Sequence, residues 1–196
     1  MRADIVDGGF ADPVFASQRA FRALMDAFAR PGSVADLSNL ATAPHPLPPA
    51  AASILLTLAD GDTPVFFEED MPDAVAWVGF HTGAVATPNA QTARFAVLSA
   101  GSDCTGWHRF AIGTSDYPDR SATLLLPVSS LKGGPALVLT GPGIETTTTI
   151  APAGLPPRFL DIMTTNRAGF PLGFDLVLLC QAQAIALPRT TRIREA

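Results

Sequence analysis

Lysine is nearly missing from this chain: Lys132 is the one lysine among 13 basic residues, so the other 12 are arginines. A Schiff base with an aldehyde cofactor needs a lysine amine. The one on offer sits in Ser129-Ser-Leu-Lys-Gly-Gly134, whose glycines read as the turn of a β-hairpin. No cofactor is therefore expected. Cysteine is scarce as well. Cys104 and Cys180 stand far apart, which excludes a disulfide framework and the clustered thiolates of an iron–sulfur centre, and fits a cytoplasmic setting. Cys180 ends an apolar run and reads as a small buried hydrophobe.

Charge is sparse too. Charged residues make up 16% of the chain against 47% hydrophobic, a balance that excludes disorder. The formal net charge of −5 and pI near 5.0 exclude electrostatic capture by nucleic acid or an anionic membrane. Nowhere is there a run of about 18 apolar residues to span a bilayer. Met1-Arg-Ala-Asp-Ile-Val-Asp7 has no apolar h-region of a signal peptide.

Three chemical motifs are present only in fragments. Ser129-x-x-Lys132 matches an acyl-transfer nucleophile pattern, but its Ser-Asp-Asn and Lys-Thr-Gly companions do not occur. Thr140-Gly-Pro-Gly-Ile144 could offer backbone N–H groups to phosphate, yet it lacks the later glycine or Gly-Lys-Ser/Thr of a nucleotide loop. Cys104 and His108 could share one helical face, but zinc needs three or four ligands and His45, His81 and Cys180 are isolated. No metal is expected.

What remains is a well-punctuated pattern of helices and strands, expected to form a single domain over residues 1–196. The clearest helix runs from Phe10 to Gly32, with Asp12 as its cap and Pro13 at its first position. Phe21, Leu24, Met25 and Phe28 have the spacing of one buried stripe, and Arg22–Asp26 the spacing of an ion pair. Further helices are expected over Ala50–Ala59, Pro72–Phe80 (with His81 capping its end) and Pro156–Arg167, the last with Phe159, Leu160 and Met163 inward. Strands are expected at Val65–Phe67, Arg94–Leu98, Ala122–Val128, Pro135–Thr140 and, threonine-rich and exposed, Glu145–Ile150. Asp60-Gly-Asp62 reads as a tight turn, and Glu68-Glu-Asp70 as a solvated acidic loop.

Two closing strands follow, Phe174–Cys180 and a run from Ile185 that Pro188 ends. The first is apolar apart from Asp175, as expected for a strand buried on both faces. The interspersed order predicts an α/β domain, a three-layer α/β/α arrangement around a mixed sheet.

Several short segments, taken in order, carry a family resemblance. They are Phe21-Arg22-x-x-Met25 with Arg30-Pro-Gly32, Leu56-Thr-Leu-Ala-Asp60 with Asp62-Thr-Pro-Val65, and Phe80-His-Thr82. They continue in Leu139-Thr-Gly-x-Gly-Ile144, Phe170-Pro-Leu-Gly-x-Asp-Leu176 and Ile185-Ala-x-Pro-Arg-Thr-Thr191. From about residue 10 to 192 the chain resembles the PhnH family, whose members are components of the carbon–phosphorus lyase complex of phosphonate catabolism.

That resemblance implies a sheet like the large domain of pyridoxal-phosphate-dependent transferases, without the cofactor lysine. It implies a homodimer when isolated, docking onto subunits G, I and J, and a functional link to K and L. With G, I and L, such a component serves synthesis of α-D-ribose 1-methylphosphonate 5-triphosphate from ATP and methylphosphonate. The radical cleavage of the C–P bond belongs to another component of the complex, J. No catalytic residue set comes with the resemblance, and the isolated chain is expected to be inactive. Arg22, Arg30, His81 and Arg189 are the candidates for anion contact or subunit docking, while Asp62 and Asp175 are expected to fix turns. An assembly subunit is the expected role. The alternative is a subunit that binds phosphonate or nucleotide and shares in the transfer.

Overall fold

The computed structural model describes residues 3–196. In chain order the elements are α1 (Ala3–Val6), β1 (Gly9–Phe10), α2 (Pro13–Ala29), β2 (Val34–Asp36), β3 (Ala41–Thr42), α3 (Pro49–Leu58), β4 (Val65–Phe67) and α4 (Pro72–Thr82). After β5 (Phe95–Val97) comes a 3-10 helix, Cys104–Arg109, then β6 (Thr123–Pro127), β7 (Leu137–Thr140) and β8 (Thr148–Ile150). The chain closes with α5 (Phe159–Ala168), β9 (Asp175–Cys180), β10 (Gln183–Leu187) and β11 (Arg192–Glu195). Among the described residues, no helix is long and apolar enough to cross a membrane.

Six strands form the main sheet in the order β2-β10-β9-β6-β5-β4. Strands β4, β5, β6 and β9 are parallel neighbours, while β10 runs antiparallel to both β9 and β2. The mixed sheet is thus as expected, and β9 lies where its apolar composition requires. Val177 and Leu179 face a core with α2, α3 and α4, whereas Leu176 and Leu178 face a second core. All four are at most 1% exposed. Such side chains contribute roughly 1.5–3 kcal/mol each, so period-two alternation survives inside an unbroken apolar run because both faces are covered. The second face is covered by α5, the 3-10 helix and a separate small sheet of order β11-β7-β8. The outer layer on that side is therefore part helix and part sheet.

Two local expectations fail, each for a packing reason. Helix α2 starts as read, with Asp12 accepting from the Phe15 N–H at 3.3 Å and Pro13 at its first position. Its buried face, however, is Ala16, Ala20, Leu24 and Ala27; of the expected stripe Leu24 is buried and Phe28 packs partly buried on the core, while Phe21 and Met25 do not. Three alanines allow close approach to α3 and β10, and the helix rotates Phe21 and Met25 outward to 47% and 56% exposure. The acidic partner changes with it: Asp26 pairs with Arg30 at 2.8 Å.

The second failure concerns the segment around Lys132. No hairpin joins β6 to β7; β6 pairs with β5 and β9, and β7 with β8 and β11. Residues 130–134 carry the chain from one sheet to the other. Ser130 forms an antiparallel bridge with Ala153, and a Cβ on Gly134 would sit 2.1 Å from the Pro152 carbonyl oxygen. That close approach requires glycine. Lys132 itself is exposed on this crossing.

Candidate functional site

Arg189 follows β10, where Pro188 has ended the ladder. Its guanidinium grips Asp175 at the start of β9 in bidentate fashion, Nε to Oδ1 at 3.2 Å and Nη2 to Oδ2 at 2.6 Å. The Arg189 backbone N–H donates to the same carboxylate at 2.8 Å. Nη1 donates to the carbonyls of Pro118 at 2.8 Å and Pro171 at 3.4 Å, and Nη2 also donates to the Ser121 hydroxyl. A guanidinium has five N–H donors, and these contacts use all five. Arg189 therefore ties the β9–β10 hairpin to the loop before β6 and to the Phe170-Pro171 turn. It leaves no N–H free for a phosphate oxygen. The sequence held a signal for this: Asp175 is the lone charge in an apolar run, and an inward-facing carboxylate needs a cation.

Arg22 and Arg30 lie on the outer side of α2. Arg30 is exposed and held only by Asp26, an i, i+4 pair. Arg22 is exposed between Phe21 and Ala23 and has no ion pair among the described residues. Around it the helix shows Val14, Phe21 and Met25, 73%, 47% and 56% exposed, on one outward ridge.

His81 lies at the end of α4, but capping falls to others. Gly83 closes the helix in the left-handed conformation (φ 78°), and the Thr82 hydroxyl donates to the Val78 carbonyl at 2.7 Å. The imidazole instead packs on Trp77, ring centres 4.6 Å apart, and edge-on to Phe80 at 5.0 Å. Its Nε2 is buried with no hydrogen-bond partner among the described residues. Trp77 fixes this corner by donating Nε1–H to the Asp7 carbonyl at 3.0 Å. Among the described residues, no hydrogen bond or ion pair joins any two of Arg22, Arg30, His81 and Arg189. The sequence candidates do not converge on one cleft.

The structure also engages residues outside the four candidates. Glu68 is not merely solvated: it accepts from the Ser99 N–H at 3.0 Å and from Arg109 Nη2 at 2.6 Å. Arg109 in turn lies over the rings of Phe66 and Phe110. Glu68 follows β4 directly, and the Ser99 N–H it accepts from lies just past β5. Cys104 is fully buried and its Sγ–H donates to the Pro157 carbonyl at 3.0 Å. Burial, aided by the neighbouring Asp103 carboxylate, pushes its thiol above the ordinary range. Among the described residues, no group of three His, Cys, Asp or Glu side chains is placed to hold a metal ion.

Three hollows flank α5. The largest, about 790 Å³, opens at the helix start, where Arg158 faces Asp161 at 3.6 Å and Glu195 lines the other wall. A smaller one of about 230 Å³ lies between α5 and the 3-10 helix, with His108, Ile112, Ile162 and Phe174 in its walls. The Asn166 amide there is committed to both the N–H and the carbonyl of Phe174. The third, about 370 Å³, opens between α5 and β11 and holds Arg167 and Arg192.

Comparison with known proteins places these features in a lineage. The α-D-ribose 1-methylphosphonate 5-triphosphate synthase subunit PhnH of Rhizobium meliloti (strain 1021) is 47% identical over 194 residues, covering 98% of this chain and 97% of its own. A putative C-P lyase subunit protein, HtxG of Stutzerimonas stutzeri, is 31% identical over 176 residues, covering 90% of this chain and 85% of its own. Residues 8–194 match the family described as bacterial phosphonate metabolism protein (PhnH). With that match spanning nearly the whole chain, the protein belongs to the PhnH family of bacterial phosphonate metabolism.

Proposed function

We propose that this chain is an assembly subunit of the carbon–phosphorus lyase core complex, working in the cytoplasm. In that role it supports synthesis of α-D-ribose 1-methylphosphonate 5-triphosphate from ATP and methylphosphonate without supplying the reacting groups. Its partners in this reading are subunits G, I and J, with a homodimer as the isolated form. The kinship above supports the role, since both relatives are named as subunits. The likeness of the sheet to the large domain of pyridoxal-phosphate-dependent transferases belongs to the same reading. The parallel run β4-β5-β6-β9 is what supports it.

The observation that carries the proposal is the outer face of α2. Val14, Phe21 and Met25 are spaced along one ridge, Phe15 beside it is 61% exposed, and Arg22 stands at its edge. Large apolar side chains exposed in contiguity mark protein interfaces more often than solvent faces. An arginine at the rim, free of a carboxylate of its own, adds directional hydrogen bonding. The test is co-expression of a tagged chain with subunits G, I and J, followed by affinity capture and light scattering of the eluate. The wild-type chain is expected to bring the three along. Phe21→Arg combined with Met25→Glu is expected to lose them while keeping its circular dichroism spectrum. A wild-type chain that elutes alone would refute the proposal.

A further inference from the structure

We infer that the pocket between α5 and β11 is a binding site for a small phosphoryl or phosphonyl oxyanion. Its floor is apolar, with Met163 and Ile193, and its rim carries Thr164, Arg167 and Arg192. Among the described residues no carboxylate lines it, in a chain whose 18 acidic residues outnumber its 13 basic ones. The large hollow at the other end of α5 is the reverse case, because Asp161, Glu195 and the terminal Ala196 share its wall with Arg158.

Arg167 is held in place for this task. Its Nε–H donates to the Thr190 carbonyl at 3.1 Å, and its guanidinium lies over the Phe170 ring at 5.1 Å. The side chain is only partly exposed, and neither terminal nitrogen has a hydrogen-bond or ion-pair partner among the described residues. Four N–H donors therefore remain free on a fixed guanidinium. A second arginine, Arg192, and Thr164 line the same hollow. A guanidinium fork matches the oxygens of a tetrahedral anion in bidentate fashion.

Arg167 also lies in the last turn of α5, where a cation offsets the helix dipole. That structural role accounts for one charge. It does not account for Arg192, which comes from a different element. The helix end presents about −0.5 charge, which the single charge of Arg167 already exceeds, and Arg192 lines the hollow from a second element. The inference is independent of the assembly role, since it concerns a ligand pocket and not the α2 ridge.

Titration calorimetry of the full chain with sodium tripolyphosphate at low salt tests it, with citrate as a carboxylate control. Arg167→Gln and Arg192→Gln are each expected to weaken tripolyphosphate at least about tenfold, and the double variant to abolish it. Arg120→Gln, an exposed arginine outside the pocket, is expected to bind as the wild type does. Near-wild-type thermal midpoints establish that the variants fold. Should Arg167→Gln unfold, Arg192→Gln carries the test, because Arg192 lies on an exposed edge strand. Absence of heat with tripolyphosphate, equal affinity for citrate, or binding untouched by Arg192→Gln would each overturn the inference.

Discussion

Arg189 belongs to the short stretch Pro188–Thr191 and Arg167 leans on it, yet the two do opposite things. Arg189 spends all five donors on protein acceptors and is 12% exposed beside an Asp175 that is 20% exposed. Arg167 spends one donor on the Thr190 carbonyl, and its terminal nitrogens have no partner among the described residues. The difference shows that arginine content by itself is a poor guide to anion binding. What separates a structural arginine from an available one is the supply of protein acceptors within reach, above all a carboxylate. Arg109 with Glu68 and Arg30 with Asp26 are paired arginines of rising exposure, 42% and 64% against 12% for Arg189.

Substitution can break this ordering. Arg189→Ala strands the Asp175 carboxylate in a mostly buried place and is expected to cost about 3 kcal/mol, measured by urea unfolding. Replacing both partners, Arg189→Met with Asp175→Leu, is expected to cost less than either single change, since no charge is left unpaired. A cost for Arg189→Ala below that of Arg109→Ala would reverse the ordering. Arg109→Ala comes next, at about 1 kcal/mol, because Glu68 keeps its Ser99 N–H bond and the arginine is 42% exposed. Arg30→Ala should fall to about 0.3–0.5 kcal/mol, the usual worth of a solvated i, i+4 pair. The Arg167 and Arg192 variants are expected to change ligand binding far more than unfolding.

Much of the scaffold was legible from residue type. The Asp12-Pro13 start of α2, the β4 strand and the buried closing strands follow from local signals that tertiary contacts reinforce. The alanines of α2 were harder, because a hydrophobicity pattern weights Phe21 and Met25 above Ala16 and Ala20. Which face turns inward was settled by how closely the helix packs on α3 and the sheet. The crossing at residues 130–134 was opaque for a related reason. Two glycines suit a hairpin as well as a passage beneath Pro152, and only strand pairing far away in sequence decides. In the sequence Arg189 reads as a candidate for anion contact or subunit docking, and what the structure adds is that its donors go to protein acceptors, Asp175 above all. Arg167 and Arg192 carried no sequence signal, since their proximity arises from β11 lying along α5.

The strand order has a consequence for the timing of synthesis. Strand β2 pairs only with β10 in the main sheet, and β6 gains its second neighbour only from β9. At about 5–20 residues per second on the ribosome, the interval from Asp36 to Gln183 amounts to on the order of 10 s. For that time β2 waits with open backbone groups, exposed to other nascent chains, and one edge of β6 waits for the shorter interval from Pro127 to Asp175, on the order of a few seconds. A binding factor that shields them would act at this stage, before any subunit contact is made.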